Sequence, residues 1–291
     1  MIPKIIHQTW KTSELPSKTL FCVESWKTLN PTFKHILWSD EDILDFTKNN
    51  YPQYLNRVEN FQAGIIKADF FRLLALYHFG GIYVDIDFEC LVPFDQWQCI
   101  KETKINAAYE PFSHSFIHGS FKQKLCNAFF ASPPKMASYE HLINTGNSVN
   151  DKKPLEVKRS YGPLAWSRLL QDKRLKKEIN LIPRRSIYPI PDLTNSKVAV
   201  EDNCLDTAID KIDKRKFNAL AVHYWDHSSV EHTSILDSLE KKDLTLIKTA
   251  RDEHRLSINA RRELKTIKKF GAKSRLITLA RLLQLRLNLY T

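Results

Sequence analysis

Residues 65–89 read IIKADFFRLLALYHFGGIYVDIDFE, a helix, a double-glycine stop and an apolar strand that runs into two aspartates. Gln62 to Phe79 has the composition of a buried helix, because Phe70, Phe71, Leu73, Leu74, Leu76 and Phe79 leave it apolar nearly all round. Gly80 and Gly81 end that helix and turn the chain. Side chains alternate along a strand, which puts Ile82, Val84, Ile86 and Phe88 on one face and Tyr83, Asp85, Asp87 and Glu89 on the other. Adjacent aspartates repel unless a positive charge lies between them. A hard divalent cation, Mn²⁺ or Mg²⁺, meets that need and commonly also holds substrate phosphates. Asp69 and Arg72 lie three apart on the helix and so share a face. A charged pair on a buried helix that leads into a strand of acids predicts a lined pocket.

The elements around this stretch alternate. KIIHQTW at 4–10 and HILW at 35–38 read as strands, 17–29 and 41–49 as helices, with Ser39-Asp40 at the N-cap of the second. Residues 105–109 and 219–225 read as later strands and 164–179 as a helix, whereas 111–163, with Pro111, Pro133, Pro134, Pro154 and Pro163, reads as an irregular insertion. The fold class is therefore α/β with a mostly parallel sheet. In such a sheet the polar end of the first strand (His7, Gln8, Thr9, Trp10) belongs at the ligand crevice. His223 closes an apolar strand within HYWDHSS and could give a nitrogen to a metal, or donors to a diphosphate, beside Ser228.

Composition bounds the alternatives. The 291 residues are 43% hydrophobic, 26% charged and 11% aromatic, which excludes a disordered chain. No run of apolar residues is long enough to span a bilayer, and no secretory leader precedes MIPKIIHQTW, so the expectation is a cytoplasmic protein. Cys22, Cys90, Cys99, Cys126 and Cys204 are scattered and lack C-x-x-C spacing, which fits reduced thiols. Of the net charge of +11, residues 251–291 carry +8, with 11 Lys/Arg against 3 Asp/Glu. There Leu256, Ala260, Leu264, Ile267 and Phe270 form a helical stripe opposite Arg261, Arg262, Lys265, Lys268 and Lys269. A basic amphipathic helix of this kind suits the anionic inner face of a membrane, or packs its stripe on the domain; no nucleic-acid partner is expected. The chain divides into a main domain at 1–250, with an irregular insertion at about 111–163, and this tail at 251–291. Two other readings of an apolar strand followed by D-x-D are a haloacid-dehalogenase-like phosphatase and a basic binding protein whose acids are merely solvated. The first lacks its later acidic motif here, and the second leaves Asp69, Arg72 and His223 unexplained.

Four blocks, IPKIIHQTW at 2–10, NPTFKHILWSD at 30–40, KADFFRLLALYHFGGIYVDIDFEC at 67–90 and HYWDHSS at 223–229, resemble glycosyltransferase family 32. The resemblance covers the N-terminal third closely and the middle only through YGP at 161–163. It implies a GT-A fold and a Mn²⁺-dependent, retaining transfer of a hexose from a nucleotide-sugar donor, UDP-linked in preference to GDP-mannose, to a glycan or glycolipid acceptor. It also implies that Asp85, Asp87 and His223 reach the metal and that Asp69 and Arg72 hold the donor sugar, with Asp69, Arg72 and Asp87 as the catalytic set. His7, Gln8, Thr9, Trp10, Tyr83 and Ser228 would contribute to donor binding. The family pattern often closes in Ser-Trp, whereas Ser228 is followed here by Ser229, which leaves Trp225 as the nearest substitute.

Overall fold

The computed structural model describes residues 1–61, 63–111, 124–147, 159–189 and 219–226. The expected tail helix at 251–291 and Ser228 lie outside these residues. Strands β1 (Ile5–Thr9) and β2 (Lys34–Trp38) pair in parallel, joined by helix α1 (Ser17–Leu29). Helix α2 (Asp40–Asn50) starts at a reciprocal cap: Asp42 N–H donates to Ser39 Oγ, and Ser39 N–H donates to the Asp42 carboxylate. With Asp40, Glu41 and Asp42 all in its first turn, that cap also suits the helix dipole. The short α3 (Leu55–Glu59) then leads to α4 (Gly64–Phe79), which is buried along most of its length, as its all-round apolar surface requires.

Gly80 at φ +65° and Gly81 at φ +92° end α4 and aim β3 (Gly81–Val84) into the centre of the sheet. The order β2-β1-β3-β6-β5-β7 comprises these strands with β5 (Ile105–Ala107), β6 (Phe129–Ser132) and β7 (Ile179–Leu181). Only β6 runs against the others, so the sheet is mostly parallel, as the alternation of elements predicts.

Two expectations change. The strand through the aspartates stops at Val84; Asp85, Ile86 and Asp87 form a turn, closed by the Phe88 N–H on Asp85 O at 3.2 Å. The chain then leaves the central sheet and forms β4 (Phe88–Cys90), which pairs antiparallel with β8 (Ala221–His223). The two acids converge through that turn, not through strand alternation. The second change concerns 111–163. That segment supplies β6, buried between β3 and β5, and helix α5 (Ala137–Asn147), which packs against α4. Likewise, the helix expected over 164–179 is a shorter α6 (Pro163–Leu169) followed by a separate 3₁₀ turn at Leu175–Glu178. Cys22, Cys90, Cys99 and Cys126 are free thiols.

Candidate functional site

The site gathers at the C-terminal end of β3, where a ligand crevice belongs in an open α/β sheet. From α4, Arg72 lies under the end of this strand, with its guanidinium 4.4 Å from the centre of the Tyr83 ring. Both nitrogens at its tip are used. One meets Asp69 Oδ1 at 3.1 Å and Asp85 Oδ1 at 3.4 Å, and the other donates to the Asn127 carbonyl. Arg72 and Asp69 are 3% and 5% exposed. Burial disfavours the guanidinium charge, but Tyr83, Asp85 and Asp69 outweigh it and raise its pKa, so Arg72 is a fixed cation. Asn127 Nδ2 donates to Asp69 Oδ1 at 2.7 Å, which completes a triangle of Asp69, Arg72 and Asn127.

Asp87 is held from the opposite side. The β4–β8 ribbon puts His223 directly across from Phe88, and its Nε2 lies 3.1 Å from Asp87 Oδ1. The Asp226 N–H donates to Asp87 Oδ2 at 2.6 Å, and the Tyr224 N–H donates to the Asp87 carbonyl. Between them Trp225 adopts φ +56°, a conformation unusual for a bulky residue and one that persists only where its surroundings enforce it. Burial raises the Asp85 carboxyl pKa, opposed by Arg72 and reinforced by the Asp87 charge. Burial acts on Asp87 too, but His223 and the Asp226 N–H overcome it and pull its pKa below the ordinary value. The two acids are thus driven apart in proton affinity, the pattern of interacting carboxylates.

Asp85, Asp87 and His223 each offer a ligand atom, and these atoms all lie within 4.8 Å of one another. Two carboxylates and an imidazole form a donor set that a divalent cation fits. The Asp85 side chain, 29% exposed, is the open edge of the group.

The end of β1 is divided in its roles. Gln8 Nε2 donates to the Asp85 carbonyl at 3.3 Å, and its Oε1 accepts from His35 Nε2 at 2.6 Å. Thr9 Oγ1 and the Tyr83 hydroxyl are 2.9 Å apart. Trp10 is half-buried beyond them, its N–H on the Trp38 carbonyl and Lys11 over its ring. His7 is fully buried. Trp38 Nε1 donates to its Nδ1, so its Nε2 carries the proton and donates to the Gly80 carbonyl at 3.1 Å. Both ring nitrogens of His7 thus tie two strands to the helix stop. Of the residues expected from the sequence, Gln8, Thr9, Asp69, Arg72, Tyr83, Asp85, Asp87 and His223 come together. Asn127, two residues before β6, and Asp226, three residues after β8, join them.

The neutral His7 has a consequence for stability. Burial depresses the His7 pKa from 6.5 to about 4, and the His35 pKa to the same value. Between about pH 6.5 and 4 the unfolded chain binds protons that the folded chain refuses, so stability falls as pH drops through that window. His7 alone accounts for about 2 kcal/mol lost at pH 5 relative to pH 7.5, and His35 acts in the same direction. Urea unfolding at the two pH values reads this directly; equal midpoints would refute it.

The family model described as "Glycosyltransferase sugar-binding region containing DXD motif" matches residues 16–104, which span α1, α2, α4, β3 and the Asp85–Asp87 turn. Residues 16–104 are thus similar to a DXD-containing glycosyltransferase sugar-binding region. The chain is 43% identical over 89 residues to inositol phosphoceramide mannosyltransferase 3 of Schizosaccharomyces pombe, covering 31% of this chain and 25% of that protein. It is 42% identical over 97 residues to mannosyl phosphorylinositol ceramide synthase SUR1 of Saccharomyces cerevisiae, covering 31% and 24%. Inositol phosphoceramide mannosyltransferase 1 of S. pombe aligns further, at 32% identity over 172 residues, covering 57% of this chain and 50% of the relative. The chain therefore spans between a quarter and half the length of these relatives. The matched residues include the Asp85–Asp87 turn and the Asp69–Arg72 pair, whereas Asn127, His223 and Asp226 lie outside them and join the site from later in the chain.

Proposed function

We propose that this protein is a divalent-metal-dependent glycosyltransferase of the GT-A type that moves a hexose from a nucleoside-diphosphate sugar to a hydroxyl of a glycolipid or glycan, with retention at the anomeric carbon. One observation carries the reading: three residues able to hold a cation, Asp85, Asp87 and His223, stand beside a buried arginine that is already paired with two carboxylates. The donor set favours Mn²⁺ over Mg²⁺, because Mg²⁺ takes oxygen ligands almost exclusively and His223 offers nitrogen. Asp85, Asp87 and His223 would hold the ion, which supplies a Lewis acid for the charge that develops on the leaving diphosphate. Asp69, oriented by Asn127 and Arg72, is placed to accept from donor-sugar hydroxyls. Arg72 is a preorganised positive charge that needs no rearrangement to stabilise the departing phosphate oxygens. Tyr83 keeps it in place by stacking, and Thr9 fixes the Tyr83 hydroxyl.

The names of the relatives favour mannose as the sugar, with a phosphoinositol sphingolipid as the kind of acceptor. This moves the preferred donor from the UDP-sugars suggested by the family resemblance to a nucleoside-diphosphate mannose.

The test is thermal unfolding of the protein with GDP-mannose, UDP-sugars, GDP or UDP, each with Mn²⁺ or with EDTA. A ligand at about 100 times its Kd adds about 2.7 kcal/mol of stability. Stabilisation by GDP-mannose with Mn²⁺ and none with EDTA is expected. Stabilisation by a UDP-sugar alone would reverse the donor assignment, and none by any nucleotide would remove the reading. Within this scheme Asn127→Ala removes the amide donor on Asp69 while leaving its Arg72 pair and the ion ligands untouched. It is expected to lower kcat/KM by about tenfold, the cost of losing one hydrogen bond to a charged group. Steady-state rates with unchanged Mn²⁺ affinity would check it.

A further inference from the structure

Lys18, in the first turn of α1, has its Nζ 2.9 Å from Asp226 Oδ1, a contact between residues 208 positions apart. The pair is well shielded, with side chains 20% and 5% exposed. Asp226 is also the residue whose backbone N–H holds Asp87 Oδ2. The one residue between Asp226 and Tyr224 is Trp225, in its left-handed conformation. Its ring is anchored on one side by Tyr188, with centroids 5.5 Å apart, and by His223 at 4.2 Å. Helix α1 anchors the segment from the other side, through Lys18 on Asp226 and through Phe21, which packs edge-on against Tyr224 at 5.7 Å. The Tyr224 hydroxyl, in turn, donates to Glu89 on β4.

We infer that Lys18 is a positioning residue of the cation site, acting through Asp226 to hold the 223–226 segment, and with it Asp87 and His223, in ligating arrangement. The inference rests on the proposed cation site and assigns a role to a residue outside its ligand set of Asp85, Asp87 and His223. The physical argument is that a left-handed Trp225 is held in place only if both flanks are fixed. Without Lys18, Asp226 is a shielded carboxylate without that ion pair, and it gains by turning toward water. That movement withdraws the N–H from Asp87 and shifts the chain that carries His223. Residues behind metal ligands typically change affinity by about 10–100-fold when removed.

Charge and position predict different outcomes, which makes the inference testable. Lys18→Met leaves the negative Asp226 near the ion, so charge alone would tighten Mn²⁺ binding, whereas positioning weakens it. Asp226→Asn weakens binding on either account. Mn²⁺ affinity is measured on the donor-free full chain by electron paramagnetic resonance of the free ion, for the parent, Lys18→Met, Lys18→Arg and Asp226→Asn. Amide exchange at position 226 is measured without metal in the same proteins. Lys18→Met is expected to lose about tenfold in affinity and to exchange faster at position 226, while Lys18→Arg keeps most of both. Equal or tighter Mn²⁺ binding by Lys18→Met overturns the role of Lys18. If Lys18→Met does not fold, unchanged exchange at position 226 in Asp226→Asn overturns it instead. A parent protein that binds no Mn²⁺ overturns the cation site itself, a separate failure that the same titration distinguishes.

Discussion

Asp87→Asn is expected to abolish sugar transfer, by about 100-fold or more in kcat/KM, while the protein remains folded. The side chain is 5% exposed and has a partner on each oxygen, so its replacement must be judged atom by atom. Asparagine keeps an oxygen for the Asp226 N–H. Its amide nitrogen can donate to His223 Nε2 if the ring moves its proton to Nδ1, a nitrogen that is buried and has no hydrogen-bond partner among the described residues. The shape of the turn is therefore retained, but a cation loses one of two carboxylates. Because an anion is removed, the variant should also lose the Mn²⁺-dependent part of any thermal shift. Near-normal turnover of Asp87→Asn in Mn²⁺ would refute the assignment of this cluster as the metal site.

Gly81→Ala should have the largest effect on the fold itself. Gly81 sits at φ +92°, and a Cβ there would lie 2.5 Å from the Ile5 carbonyl oxygen of the neighbouring strand. Neither partner can yield easily, because β3 is hydrogen-bonded to β1 on one side and β6 on the other. Backbone strain of this kind costs about 1–3 kcal/mol, and the clash with β1 adds to it. A loss of about 3 kcal/mol or more is expected, equivalent to roughly 10 °C in Tm for a domain of this size. Gly80 is similarly constrained, with a Cβ 2.6 Å from the Pro134 nitrogen, and its carbonyl holds His7. A thermal midpoint for Gly81→Ala within a few degrees of the parent would show that β3 can shift away from β1. The two variants separate the contributions of the segment: Asp87 is tested for the proposed cation site and Gly81 for the path of the chain that delivers it.

Much of this architecture is legible in local sequence. The all-apolar α4, its Gly80-Gly81 stop and the Ser39–Asp42 cap follow from composition and turn chemistry, and α1, α2 and β2 fall within a residue of their expected bounds. What escapes is whatever depends on a distant partner. β6 is only FFAS in a proline-rich stretch, and its identity as a central strand comes from the edges of β3 and β5 that flank it. The turn at Asp85–Asp87 is equally invisible, since IYVDIDFEC alternates well enough to read as one strand. The chain bends there because Asp85 N–H is taken by the Ala128 carbonyl while Phe88 enters a different sheet with His223. Local patterning cannot distinguish the two outcomes, because either satisfies the same alternation.

The sequence by itself determined the α/β class, the helix–glycine–strand unit, and the chemical identity of the site: two aspartates, an aspartate–arginine pair one turn apart and a late histidine. These are properties of residue type and short spacing, and one-dimensional patterns carry them. The tertiary structure decided which of them meet. It brought His223 to Asp87 across 136 residues, placed Asn127 on Asp69, withdrew His7 into the core and set Lys18 behind Asp226. The reason is that a side chain's role depends on what occupies the space around it. That is fixed only when β4 finds β8 and β3 finds β6, pairings decided by the burial of whole faces together rather than by any residue's own propensity.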